Sequence, residues 1–220
     1  MNRIIIIAFV VVISLFLIWK VIPNMSSSNK EQTLITYYPK KRSLDPNDIV
    51  YSSQYQIIRS LYKPLFENYN DMNLTSDICE KFYWKEKALV CQIKKGILTK
   101  SGHEITSKDI VKSLSRAAYF DDSAHYSLKS LLEFSGDFDL MSGHPSIKAD
   151  EKYKVSIYFN EKENQVFEIL SAADFVIIPE TAFSKDLSSI QDLSETSGVY
   201  YLSEDHDDYM VLSLNQNYSS

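Results

Sequence analysis

The sequence predicts a mixed α/β fold, and three observations carry that expectation. The first is the stretch from Leu89 to Arg116, LVCQIKKGILTKSGHEITSKDIVKSLSR, where a strand-like period of two gives way to helical spacing. The second is that strand-like and helix-like segments interleave along the chain without a βαβ rhythm, an internal repeat or a low-complexity tract. The third is composition: 220 residues, 45% hydrophobic and 24% charged, are globular and long enough for a sizeable core.

In chain order, residues 1 to 28 read as a targeting segment. Asn2 and Arg3 are followed by the apolar run Ile4 to Ile18, interrupted only by Ser14, and the run resumes with Val21 and Ile22 after Lys20. Ser26 and Ser28 offer a small-residue cleavage site, so a cleaved signal peptide and a retained signal anchor both fit. Arg3 places the remainder outside the cytoplasm in either case. Ser26 to Lys30 is a polar linker, Thr33 to Tyr37 a strand, and Pro39 to Pro46 a loop in which Asp45 and Pro46 form an Asx-type turn. Tyr55 to Leu65 has helical spacing at Ile57, Ile58, Leu61 and Leu65, ended by Pro64 and the Asn/Asp cluster Asn68 to Asn73.

Glu80 to Trp84 and Ala88 to Ile93 form a predicted hairpin turning near Lys85 to Lys87. Cys79 and Cys91 stand six residues to either side of Lys85, so a hairpin centred there sets them opposite each other, within bonding range. A turn displaced by one residue puts them on opposite faces, as two small buried hydrophobes that never meet. Thr106, three residues before Asp109, starts the central helix with a capping box, and Ile110, Val111, Leu114, Ala117 and Ala118 form its apolar face. A shorter helix is expected over Tyr126 to Phe134. The next hairpin pairs Ser146 to Ala149 with Lys154 to Phe159 about Asp150 and Glu151. A helix over Gln165 to Ala172, a buried strand over Phe175 to Ile178 stopped by Pro179, and a hairpin of Val199 to Leu202 with Met210 to Leu214 complete the chain.

Several function classes fall away. Net charge is 23 − 29 = −6, or 21 − 29 = −8 without residues 1 to 28, which argues against nucleic acid and anionic lipid surfaces as partners. His103, His125, His144 and His206 lack HExxH or CxxC company, so no metal ligand set is expected. Glu204, Asp205, His206, Asp207 and Asp208 lack the glycine and spacing of a calcium loop and read as a solvated turn. Five glycines form no GxGxxG, GxxxxGK or GxSxG, leaving no phosphate cradle, nucleophile elbow or cofactor site, and no enzyme is expected.

One set of motifs carries a resemblance. Leu44-Asp45-Pro46, then LYKPLFE (Leu61 to Glu67), CEKF before the hairpin, QIKKG (Gln92 to Gly96), SGHEITSKDIVKSLSR, and finally GVYYL with NQNY (Asn215 to Tyr218) occur in the order found in ABC-importer substrate-binding proteins for oligopeptides, dipeptides and nickel. The chain resembles the first lobe of that family. The resemblance implies a type II periplasmic-binding fold, built as a mixed sheet with flanking helices plus a β-hairpin subdomain, with residues 29 to 220 forming lobe I and the second lobe absent. It departs from the family in carrying Cys91 where an aromatic is usual and Phe82 where Trp is expected, both apolar.

The resemblance alone also implies a ligand and the residues that hold it. An extended peptide is bound chiefly through its backbone and handed to permease subunits in the membrane, with no cofactor. The segment after Leu-Asp-Pro lines the cleft, which assigns Tyr51, Ser52 and Ser53, next to Val50, to ligand binding. A tyrosine ten residues beyond the Arg closing the central helix also faces ligand, and here that is Tyr126. The ligand itself stays open among a peptide, a nickel complex and haem. The location is extracytoplasmic, either periplasmic or anchored to the outer face of the inner membrane. The alternative is a membrane-anchored, half-length relative that serves as a non-transporting interaction module.

Overall fold

A computed structural model describes residues 33–37, 43–68, 74–121, 127–162 and 165–218. The chain divides into Met1–Gln32 and Thr33–Ser220, and all described residues belong to the second unit. The targeting segment and Tyr126 lie outside them. Among the described residues no helix is long and apolar enough to cross a membrane.

The strands in chain order are β1 (Thr33–Tyr37), β2 (Lys63–Pro64), β3 (Glu67–Asn68), β4 (Leu74–Thr75), β5 (Cys79–Lys85), β6 (Ala88–Ile93), β7 (Ile147–Glu151), β8 (Lys154–Tyr158), β9 (Val176–Ile177), β10 (Tyr200–Asp205) and β11 (Tyr209–Leu214). The helices are α1 (Ser52–Leu61), α2 (Ser107–Phe120), α3 (Leu128–Leu131) and α4 (Gln165–Ile169). A four-stranded sheet runs β5-β6-β8-β7, a three-stranded one β1-β11-β10, and β2-β9 and β3-β4 are short pairs. Strands and helices interleave as the mixed α/β expectation has it. Among the described residues every strand pairing is antiparallel, so the sheets are not mixed in strand direction. The reason is that consecutive strands pair as hairpins, β5-β6, β7-β8 and β10-β11, rather than through helical crossovers, which also explains the missing βαβ rhythm.

Two apolar cores result among the described residues. In the first, the inner face of the four-stranded sheet (Leu89, Cys91, Ile93, Val155, Ile157) packs on Ile110, Leu114 and Ala118 of α2, as period two on the strands and 3.6 on the helix require. Phe66, Phe82, Trp84, Phe159 and Phe167 close its end in edge-to-face contacts 4.8 to 6.1 Å apart. In the second, Ile57, Ile58, Leu61 and Tyr62 pack against Val176, Ile178, Phe183, Met210 and Leu212.

The capping box at α2 forms. The Asp109 carboxylate accepts the Thr106 N–H (2.7 Å) and hydroxyl (2.9 Å), and Thr106 Oγ1 accepts the Lys108 N–H at 3.3 Å. Fully buried, Asp109 also meets His103 Nε2 at 2.8 Å and accepts the Glu180 N–H at 2.8 Å, so one carboxylate starts α2 and anchors a distant turn.

Cys79 and Cys91 are bonded, with Cα atoms 5.5 Å apart. The hairpin does not turn about Lys85: Lys85 faces Ala88 and Phe82 faces Cys91. Counted back without interruption, Cys79 would sit three residues from Phe82, on the other face. A bulge between Cys79 and Lys81 supplies one extra residue, sets Cys79 opposite Ile93 and turns it inward beside Cys91.

Several element ends differ from expectation. The first helix spans Ser52–Leu61 rather than Tyr55 to Leu65: Gln54 starts it early, and Pro64 forces Lys63 into extended backbone, where both join β9. The helix expected over Tyr126 to Phe134 is a single turn, α3, because Leu132 leaves to bridge Phe159. The helix expected to reach Ala172 stops at Ile169, and Phe175 belongs to a 3-10 turn before β9. In the β7-β8 hairpin a bulge between Ala149 and Glu151 moves the turn to Lys152 and Tyr153. Glu204 and Asp205 extend β10, leaving His206 to Asp208 as the turn.

The GVYYL and NQNY motifs have structural roles. A Cβ on Gly198 would come within 2.6 Å of the Leu61 carbonyl, which accepts the Gly198 N–H at 2.9 Å. Asn215 Nδ2 donates to Leu98 O, Asn217 Nδ2 to Thr99 O and Lys100 O, and the Tyr218 hydroxyl to Asp77. Glu195 receives Thr99 and Ser101 at the same turn.

Candidate ligand-binding surface

The start of α1 is built by one buried amide. Gln54, 2% exposed, uses Oε1 to accept the Val50 and Tyr51 N–H groups, both at 2.9 Å, and Nε2 to donate to Ser43 O (2.8 Å) and Asp48 O (3.2 Å). All four partners are backbone atoms of residues 43 to 51, so this loop is cast around Gln54. Gln54 precedes Ile57, Ile58 and Leu61 at helical spacing, which puts a polar residue on the buried stripe; a helix begun at Tyr55 overlooks that sequence signal.

Tyr51, Ser52 and Ser53 are brought together on the outside of this turn, all three exposed, with Tyr51 at 49% and Val50 and Tyr55 beside it. The N–H groups of Ser52 and Ser53 have no partner among the described residues. Two free amides, two hydroxyls and the positive end of a helix suit an anionic or carbonyl oxygen, and the flanking tyrosines supply ring faces.

Behind the loop stands a second polar joint. Arg116, 3% exposed, donates to Asp45 through both guanidinium arms (2.8 and 2.5 Å), to Leu187 O (2.7 Å) and to Ser188 O (3.1 Å), between the rings of Phe120 and Phe183. Asp45 also accepts the Asn47 N–H at 3.1 Å, the Asx turn expected there. The sequence shows Asp45 only as a local turn residue and Arg116 only as a landmark. The ion pair joining them across 71 residues of sequence is the additional finding. Tyr62 is fully buried next to this joint; burial, then the charges of Asp45 and Asp192, push its phenol well above the ordinary tyrosine range.

At the far end of α2, Tyr119, Phe120, Phe134 and Met141 are exposed. Behind them His144 is buried. Its Nδ1 accepts the Ser146 N–H (3.2 Å), so its proton sits on Nε2, and the Phe138 ring lies 4.6 Å away at 74° to the imidazole. Burial, with Lys129 adding to it, lowers the His144 pKa to about 4. Among the described residues no three His, Cys, Asp or Glu side chains form a metal-holding group; His103 and His206 each face a single carboxylate.

No protein-family model and no curated protein sequence matches the chain. Solved structures do. The murein tripeptide binding protein MppA of Escherichia coli superimposes with a TM-score of 0.65 at 16% identity, over 80% of this chain and 36% of MppA. The pheromone receptor PrgZ, solved for its mode of peptide binding, gives 0.65 at 18% identity over 80% of this chain and 38% of PrgZ. The binding protein AgaA of A. tumefaciens R10, in complex with agropinic acid, gives 0.66 at 15% identity over 83% and 35%. The chain thus spans about a third of the length of each of these binding proteins, and over that third it has the periplasmic-binding-protein fold.

Proposed function

We propose that this chain is the ligand-holding lobe of an extracytoplasmic solute-binding component of an ABC importer, that its ligand is a peptide, and that the peptide meets the chain at the start of α1. The observation that carries this reading is the exposed group Tyr51, Ser52 and Ser53, with two unpartnered amides fixed in place by Gln54. Its support from outside is a fold shared with binding proteins, two of them peptide binders. The ligand's backbone carbonyls or terminal carboxylate take the free amides, and Tyr51 walls one side. Tyr126 is assigned as a second wall. Residues 1 to 28 export or anchor the chain and residues 29 to 220 form the lobe. The cystine fits an oxidising compartment. A permease in the membrane receives the peptide.

The test is thermal unfolding of the full chain, kept in mild detergent, with and without a pool of tri- to pentapeptides. A rise in Tm is expected in the wild type. Ser53→Glu places a carboxylate where the ligand's oxygen belongs while favouring the helix start, so it is expected to abolish the rise without lowering the unliganded Tm. No rise with any pool, or a rise that survives in Ser53→Glu, contradicts the proposal.

A second reading has one observation in its favour: among the described residues β1 is a sheet edge with Leu34 and Ile35 both exposed, a surface suited to another strand or chain. In that reading the lobe is an anchored interaction module. Cross-linking in source membranes that captures a protein partner through β1, with no peptide response, favours it.

A further inference from the structure

The outer face of the β5-β6-β8-β7 sheet is concave. Its depression of about 500 Å³ is lined by Tyr83, Lys85, Glu86, Ala88, Val90, Asp150, Lys154, Ser156 and Tyr158. The register explains the shape. Tyr83, Val90 and Ser156 stand side by side in one row, and Lys85, Ala88 and Tyr158 in the next. Small residues therefore form a floor on the central strands, with a tyrosine rising from β5 on one side and from β8 on the other. Ala88, Val90 and Ser156 are only 6%, 2% and 4% exposed, although they point away from the core that the opposite face covers.

The two ends carry charge of both signs. Lys85 and Glu86 sit at the β5-β6 turn. Lys154 and Asp150 sit at the other end, where Lys154 stands opposite Gln92, four residues along β6 from Ala88, or about 13 Å. Among the described residues Lys85 has no ion-pair partner, and Lys154 reaches Glu151 only at 3.9 Å. Asp150 is held in place by the Ser156 hydroxyl at 2.5 Å. Lys148 lies against the Tyr158 ring, 4.9 Å from its centroid.

We propose that this groove is a second ligand site, for a short zwitterionic peptide of about three residues with an aromatic middle side chain. The ring lies on Ala88 and Val90 between Tyr83 and Tyr158. The peptide's ammonium and carboxylate, about 10 Å apart in extended form, meet a carboxylate at one end and a lysine at the other. Since each end offers both signs, either chain direction fits. The site uses side chains alone, because a sheet face has no free backbone groups to offer, and it is separate from the start of α1.

The probe is Ala-Phe-Ala, titrated into the full isotope-labelled chain in mild detergent and followed by amide NMR. Shifts are expected at Tyr83, Val90, Ser156 and Tyr158, weakened at least tenfold for the peptide capped at both termini. Ala88→Phe fills the floor at a position outside the apolar cluster packed on α2, so it is expected to remove those shifts while the amide spectrum of that cluster stays that of the wild type. Tyr51→Ala is expected to leave them intact, which separates this site from the one at α1. No shifts at the groove, shifts confined to Tyr51 to Ser53, equal binding of the capped peptide, or binding that survives Ala88→Phe would each overturn the proposal.

Discussion

The hairpin sheet and the Arg116 joint hold the same domain by opposite means. In the sheet, strands are pinned by a disulfide and by an apolar face packed on α2. At the joint, the loop of residues 43 to 51 is pinned by Gln54 to backbone groups and by Arg116 to a carboxylate and two carbonyls. Positional precision comes from the second. Apolar burial is non-directional and tolerates substitution, whereas a guanidinium with four bonds fixes the position of everything it touches. The candidate ligand surface stands on that kind of support.

The largest effect expected from breaking this contrast is at the joint. Arg116→Met leaves Asp45 as an unpaired charge and strips donors from Leu187 and Ser188, costing about 3–5 kcal/mol in denaturant unfolding. The double change Arg116→Met with Asp45→Asn is expected to cost less than Arg116→Met alone, because no naked charge remains. Equal costs would mean that the Asp45 carboxylate left without Arg116 carries no penalty of its own.

Next is the sheet. Reduction, or Cys79→Ser with Cys91→Ser, frees a 12-residue separation in the unfolded chain and is expected to cost about 3 kcal/mol, with the hairpin register unchanged. If the loss instead appears as rapid amide exchange along β5, the bulge depends on the bond.

A comparable effect belongs to His144, whose folded pKa of about 4 lies below its ordinary 6.5. Above pH 6.5 both folded and unfolded chains hold it neutral, and it contributes no pH dependence. As pH falls from 6.5 to 4 the unfolded chain takes the proton and the folded one does not, so stability drops, by about 3 kcal/mol in all. The difference between the stability-pH curves of the wild type and His144→Leu is expected to show that fall. A flat difference contradicts the buried, neutral ring. The smallest effect is at the cap, where Thr106→Ala is expected to cost about 1 kcal/mol.

The same contrast governs what the sequence discloses. The β5-β6 hairpin, α2 and its capping box, and β1 are visible because alternation, helical spacing and the Thr106 to Asp109 interval are local patterns. Element ends escape where a distant partner decides them: Pro64 pairs with Val176, and Leu132 bridges Phe159. The Asp45 to Arg116 bond leaves no local trace. Tyr51, Ser52 and Ser53 are reached only by resemblance. The reason they stand together, Gln54, is legible as a polar residue on an apolar helical stripe.

The most direct test of the claim that a peptide docks at the start of α1 is hydrogen exchange at the Ser52 and Ser53 amides, with and without a pool of tri- to pentapeptides. Having no partners among the described residues, these amides are expected to exchange fast in the free chain and to slow at least tenfold when peptide is present. Fast exchange in both conditions, with peptide demonstrably bound elsewhere on the chain, would contradict it.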